Sequence, residues 1–239
     1  MDTIVKAENL LVQYKRLTAL EIDHLELFKG ESFGLVGNNG AGKTTFFRVI
    51  LDLVKPKRGR VTINGMDSAL SEDWKNTTGA YLDEGFVIPY LLPEEYFAFV
   101  AKTRGISQGE MDRQLAGFEQ FFNGQILGKG KYIRDLSRGN QKKVGVAAAF
   151  LGNPDLIILD EPFSNLDPSS QLQLRRILSV IDTESDTTIV VSSHDLTHIS
   201  AFCKRIVILD EGKVVKDIYS NERTLEKLQT YFSWRIELQ

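Results

Sequence analysis

An α/β fold built on a mostly parallel sheet is predicted by three features of the chain. The short runs Phe33-Gly34-Leu35-Val36, Leu156-Ile157-Ile158-Leu159, Thr188-Ile189-Val190-Val191 and Ile206-Val207-Ile208-Leu209 are apolar almost throughout. Runs of this kind, bounded by turn residues, suit strands covered on both faces. Helical patterns lie between them, including Gln171 to Ile181 and Asp195 to Phe202, and strand–helix alternation is the mark of a parallel sheet. The glycine-rich segment Gly37 to Thr44 follows the first run and opens the helical stretch Thr45-Phe46-Phe47-Arg48-Val49-Ile50-Leu51.

The remaining elements fall into two groups. Residues 1–32 and 57–66 read as short strands and turns, with turns at Arg58-Gly59-Arg60 and Asn64-Gly65, so a small antiparallel β subdomain flanks the core. Residues 86–135 lack buried-strand runs and read as helices. Pro93-Glu94-Glu95 starts one, with proline and acids where a first turn favours them. Met111, Leu115, Phe118 and Phe122 stripe a second at helical spacing. The chain therefore reads as a single domain over 1–239, with a helical subdomain inserted over about 86–155 and no internal repeat.

Composition narrows the function classes. With 239 residues, 42% hydrophobic and 26% charged, the chain can bury one sizeable core. A formal net charge of −3 lacks the basic footprint of a nucleic-acid binder, so no nucleic-acid partner is expected. Cys203 is the only cysteine, which excludes an intramolecular disulfide and a cysteine-based zinc cluster and suits a reducing cytosol. No apolar stretch reaches the roughly 20 residues of a membrane span, and Met1 to Lys6 lacks the layout of a secretory signal. The expectation is a soluble chain whose membrane role comes through a partner.

The chemistry centres on Gly37-Asn38-Asn39-Gly40-Ala41-Gly42-Lys43-Thr44, a phosphate loop between a strand and a helix. Its glycines let backbone N–H groups turn towards phosphate oxygens, and the helix start adds its dipole. Lys43 is expected to reach the terminal phosphates and the Thr44 hydroxyl to hold Mg²⁺, with Thr45 completing the binding segment. Asp160 ends an apolar strand, where a carboxylate can meet Mg²⁺, and Glu161 beside it can orient or deprotonate water. A plain strand-ending acid pair is the structural alternative. Leu136 to Gln141 reads as a capped helix start with Ser137 as N-cap, and Asp167-Pro168 as another. His194 ends a strand; a buried structural histidine is one alternative, and with His198 it also has the spacing of a metal pair, although no third ligand accompanies them.

The ordered set Gly37–Thr44, Leu136–Asn140, Leu156–Glu161, Ser164-Asn165-Leu166-Asp167 and His194 resembles the ATP-binding subunits of ABC transporters, and it spans nearly the whole chain. The resemblance implies a P-loop NTPase (RecA-like) core, with ATP and Mg²⁺ as cofactors. It implies that Leu136-Ser137-Arg138-Gly139-Asn140 is the signature motif, whose Ser137 hydroxyl and Gly139 N–H bind the γ-phosphate held by a second copy of the chain. It further implies that His194 senses the γ-phosphate, that Asp167 lies at the dimer contact, and that Tyr14 stacks on adenine, with a plain surface tyrosine as the rival for the last. The family usually has glycine where Arg138 stands and glutamine where Asn140 stands. Its metal-binding glutamine appears here as Glu84, in Tyr81-Leu82-Asp83-Glu84-Gly85, as in the exporter-like branch.

The expected protein is thus an ATPase that works as a head-to-tail dimer and drives a separately encoded integral membrane subunit, in the direction of export. It would sit in the cytoplasm, peripheral to the membrane. Phe86 to Leu92 is either core packing or a docking surface for the membrane partner. The rival classes are a soluble ATPase acting on ribosomes or nucleic acid, and an ATP-binding module of low turnover.

Overall fold

The computed structural model describes residues 2–220 and Leu228. Strands β1 (Thr3–Tyr14) and β2 (Leu17–Phe28) form a long hairpin through a left-handed Lys15. β1 also pairs antiparallel with β4 (Arg58–Ile63), which turns through left-handed Asn64 and Gly65 into the two-residue β5 (Met66–Asp67). Asn-Gly at that turn suits a hairpin, because its twist matches the flanking strands. The resulting sheet has the order β2-β1-β4-β5.

The first two strands are each 12 residues long, not short. Gly59 lies inside β4 and not in a turn: its φ is +87°, and a Cβ would fall 2.3 Å from the Asn9 carbonyl oxygen. Pairing between β1 and β4 slips at this point, so the glycine serves a bulge.

The second sheet holds β3 (Ser32–Val36), β6 (Thr78–Tyr81), β7 (Leu156–Leu159), β8 (Thr188–Ser193), β9 (Arg205–Asp210) and β10 (Lys213–Tyr219), in the order β10-β9-β3-β8-β7-β6. All pairings are parallel except β9 with β10. Alternate side chains feed two cores, as the pleat requires. Phe33, Leu35, Ile158, Val190 and Val207 pack with the antiparallel sheet and with Phe46 and Phe47, whereas Val36, Ile157, Leu159, Val191 and Ile208 pack with the helices on the other face.

The helices are α1 (Lys43–Ile50), α2 (Pro93–Thr103), α3 (Gln108–Ala116), α4 (Glu119–Phe122), α5 (Arg138–Phe150), α6 (Pro168–Glu184) and α7 (Leu196–Ser200). The Met111–Phe122 stripe is fully buried but divided between α3 and α4, which part at Gly117 and Phe118. Its rings close on neighbours, with Phe118 5.4 Å from Phe150 and Phe122 5.9 Å from Phe97. Register aligns Val36 with Ser193 and Leu159 with Val191, so β3, β7 and β8 end side by side. A crevice beyond the carboxyl ends of such strands is where α/β sheets bind ligands.

Candidate active site

β3 delivers the chain into Gly37–Gly42, and α1 begins at Lys43. Gly40 and Gly42 take φ of 84° and 105°, values that glycine tolerates without steric cost. A Cβ on Gly37 would lie 2.3 Å from the Leu209 carbonyl oxygen, so this turn fits against β9 only with glycine. The Lys43 ammonium is buried and folds back over the loop, donating to the carbonyls of Gly37 at 2.6 Å and Asn38 at 3.3 Å. These residues line a cleft of about 600 Å³, bounded by Asn38–Thr45, the segment 17–19, Glu161 and Glu211.

Asp160, at the end of β7, is nearly fully buried. Thr44 Oγ1 donates to one of its carboxylate oxygens and Ser192 Oγ to the other. Burial pushes the Asp160 carboxyl above the ordinary carboxylate range, and the hydrogen bonds from Ser192 and Thr44 oppose that shift. A buried carboxylate beside a hydroxyl is a hard oxygen set, and such donors fit Mg²⁺. Glu84 is exposed and opens the turn Glu84–Phe86. That turn is held by Asp83, which accepts from the Gly85 N–H at 2.8 Å and from Arg48 of α1 at 3.1 Å.

Glu161 follows with a φ of 47°, in the left-handed region. Its N–H donates to Ser192 Oγ at 2.9 Å, and its carbonyl accepts from Lys142 Nζ at 2.8 Å and Ser164 Oγ at 2.9 Å. Its carboxylate faces the cleft. Oε2 lies 2.8 Å from His194 Nδ1, while Oε1 is buried, 3.4 Å from Lys43 Nζ, and has no hydrogen-bond partner among the described residues. A carboxylate so held can take a proton from water while an imidazole fixes its other oxygen. His198 does not join His194: its ring stacks on Phe163 at 4.4 Å and its Nε2 lies 3.7 Å from Asp195. Among the described residues no cluster of three His, Cys, Asp or Glu could hold a metal.

The other residues predicted for the site lie around this centre rather than in it. Ser137 caps α5 by accepting from the Asn140 N–H at 3.3 Å. Gly139 packs close to the segment after β7, where a Cβ would meet the Asn165 carbonyl oxygen at 2.8 Å. Asp167 caps α6 through the Ser170 N–H at 3.0 Å and the Ser170 hydroxyl at 2.5 Å, which hold its carboxyl below the ordinary range. Tyr14 ends β1 half exposed, and the cleft rim near it is formed by Leu17, Thr18 and Ala19. Ser192 and Lys142 were not singled out from the sequence, and Ser164 was noted only as part of the motif 164–167. A lysine pair beginning the apolar stretch of α5 was the available signal for Lys142, and polar Ser192-Ser193 ending a buried strand for Ser192.

A family model described as ABC transporter matches residues 20–164. The bacitracin transport ATP-binding protein BcrA of Enterococcus faecalis is 32% identical over 228 residues, 93% of this chain and 71% of that protein. A solved ATP-binding subunit of an ABC transporter superposes with a TM-score of 0.82 at 29% identity, over 97% of this chain and 94% of that one. A dimeric bacterial ABC transporter cassette shares the fold, with a TM-score of 0.81 at 24% identity over 91% of this chain and 99% of that one. Phosphate loop, strand-end acids, fold and sequence relationship converge: this chain belongs to the ABC transporter family as an ATP-binding subunit, an ATPase.

Proposed function

We propose that the chain hydrolyses MgATP between Gly37–Thr45 and Glu161 as one half of a head-to-tail dimer, driving a separately encoded integral membrane subunit. The observation that carries this reading is the Glu161 carboxylate, held between Lys43 and His194 at the mouth of the phosphate-loop cleft. Lys43 exchanges the carbonyls of Gly37 and Asn38 for the terminal phosphates. Thr44 and Asp160 would hold Mg²⁺, with Glu84 as a further oxygen ligand, and the ion would supply neutralisation of phosphate charge. Glu161 accepts a proton from the attacking water, and His194 keeps Oε2 engaged while that happens.

In the dimer, Ser137 and Gly139 of one copy serve the nucleotide of the other, and Asp167 lies at the junction. The start of α5 supports that role, because a helix N-terminus with an exposed serine suits an anion. Tyr14 supplies a half-exposed ring for adenine. Residues 86–155 act as the helical signature unit. Ile88 and Tyr90, exposed in the run Phe86–Leu92, form the surface that meets the membrane subunit. Among the described residues no helix is long and apolar enough to cross a membrane. In this reading the membrane-spanning part belongs to the partner, and the chain sits on the cytoplasmic face. Export as the direction rests on Glu84 alone.

Purification from detergent-solubilised native membranes tests the class. A polytopic membrane protein is expected to co-purify and to stimulate phosphate release, and a ribosomal or nucleic-acid partner in its place would overturn the reading. Glu84→Gln tests the metal assignment. Its half-saturating Mg²⁺ concentration is expected to rise about tenfold, while turnover at saturating Mg²⁺ persists. An unchanged Mg²⁺ dependence would remove Glu84 from the set.

A further inference from the structure

Lys142 lies on α5, is 6% exposed, and has no part in the chemistry described so far. Burial lowers its affinity for a proton, and the negative charges of Glu84, Glu161 and Asp160 only partly oppose that shift. An ammonium withdrawn from water is costly unless its donors are used. Here they are used on the Glu161 carbonyl, at 2.8 Å, and on Ser164 Oγ, at 2.6 Å. Ser164 Oγ in turn donates to the same carbonyl at 2.9 Å, closing a triangle.

Lys142 thereby avoids the Glu161 carboxylate, which stays with Lys43 and His194. What it fixes is the peptide of a residue at φ 47°, a conformation that persists only where the surroundings over-determine it. Ser192 secures the N–H side of Glu161 and Lys142 the carbonyl side.

We propose that Lys142 is a positioning residue for hydrolysis, holding the backbone from which Glu161 presents its carboxylate and coupling that backbone to the start of α5. Ser137 and Lys142 are joined by about 7.5 Å of one rigid helix at 1.5 Å per residue. A shift of α5 on meeting the second nucleotide therefore reaches the acid of its own subunit through one ammonium. The inference rests on the assignment of Glu161 as the base.

The test is steady-state phosphate release and separate nucleotide binding by the full chain carrying Lys142→Met, Lys142→Arg or Glu161→Gln. Lys142→Met is expected to lower kcat by about 30-fold, a loss in the range set by small misplacements of a catalytic group. Its KM and nucleotide Kd should stay within about twofold, because phosphate contacts are untouched. Lys142→Arg, which keeps charge and donors, is expected to recover most of the loss. A wild-type kcat in Lys142→Met, or kcat and affinity falling together, would overturn the inference. Should Lys142→Met fail to fold, Lys142→Gln replaces it, and a kcat equal to that of Lys142→Arg is the overturning result. Wild-type turnover in Glu161→Gln would instead sink the base assignment beneath it.

Discussion

Glu161→Gln is expected to bind MgATP, to lose turnover by about 10²–10⁴-fold, and to accumulate as an ATP-bound dimer. Glutamine matches the volume of glutamate and keeps the peptide contacts to Ser192, Lys142 and Ser164. It keeps a polar atom for His194 as well, now 2.8 Å from Oε2. What disappears is the basic oxygen that takes the proton. Binding should not suffer, because Oε1 lies 3.4 Å from Lys43 Nζ and its charge competes with phosphate for that ammonium. Phosphate release together with size-exclusion chromatography in MgATP decides the matter. Wild-type turnover with no dimer would remove both the base and the sandwich mechanism.

Lys43→Ala should raise the Kd for ATP by at least about 100-fold, the equivalent of roughly 3 kcal/mol and in line with charge-assisted bonds to phosphate. The side chain is buried, and its three neighbours are the Gly37 and Asn38 carbonyls and the Glu161 carboxylate. Truncation strands those acceptors, so a fall in melting temperature should accompany the lost affinity. Calorimetric titration with ATP, beside a thermal melt without it, separates the two effects. An affinity within about threefold of wild type would show that the terminal phosphates lie elsewhere.

The strands that carry the site were legible because β3, β7 and β8 are buried on both faces and therefore hold short, largely apolar runs. β6 was not, because Thr78-Gly79-Ala80-Tyr81 has no run of large aliphatic residues. That glycine is required by packing alone: a Cβ there would lie 1.8 Å from the Ala149 carbonyl oxygen. β10 was hidden for the opposite reason, as a largely exposed strand with lysines at Lys213 and Lys216. The same contrast holds in the site. Lys43 and Thr44 belong to a motif whose spacing is local, and Asp160 and Glu161 end a strand that announces itself. Ser192 and Lys142 act on Asp160 and Glu161 from other strands and helices, and no spacing in the chain encodes those meetings.

The left-handed backbone of Glu161 sets stability against chemistry at a single position. Glycine would enter φ 47° at no steric cost and asparagine at little, yet neither carries a carboxylate to the cleft. Random variants of this chain sorted only for folding would therefore drift away from glutamate at 161, and the catalyst would vanish from a population that looks healthier. Glutamate at this backbone position is thus a demand of the proposed chemistry, set against the preference of the fold.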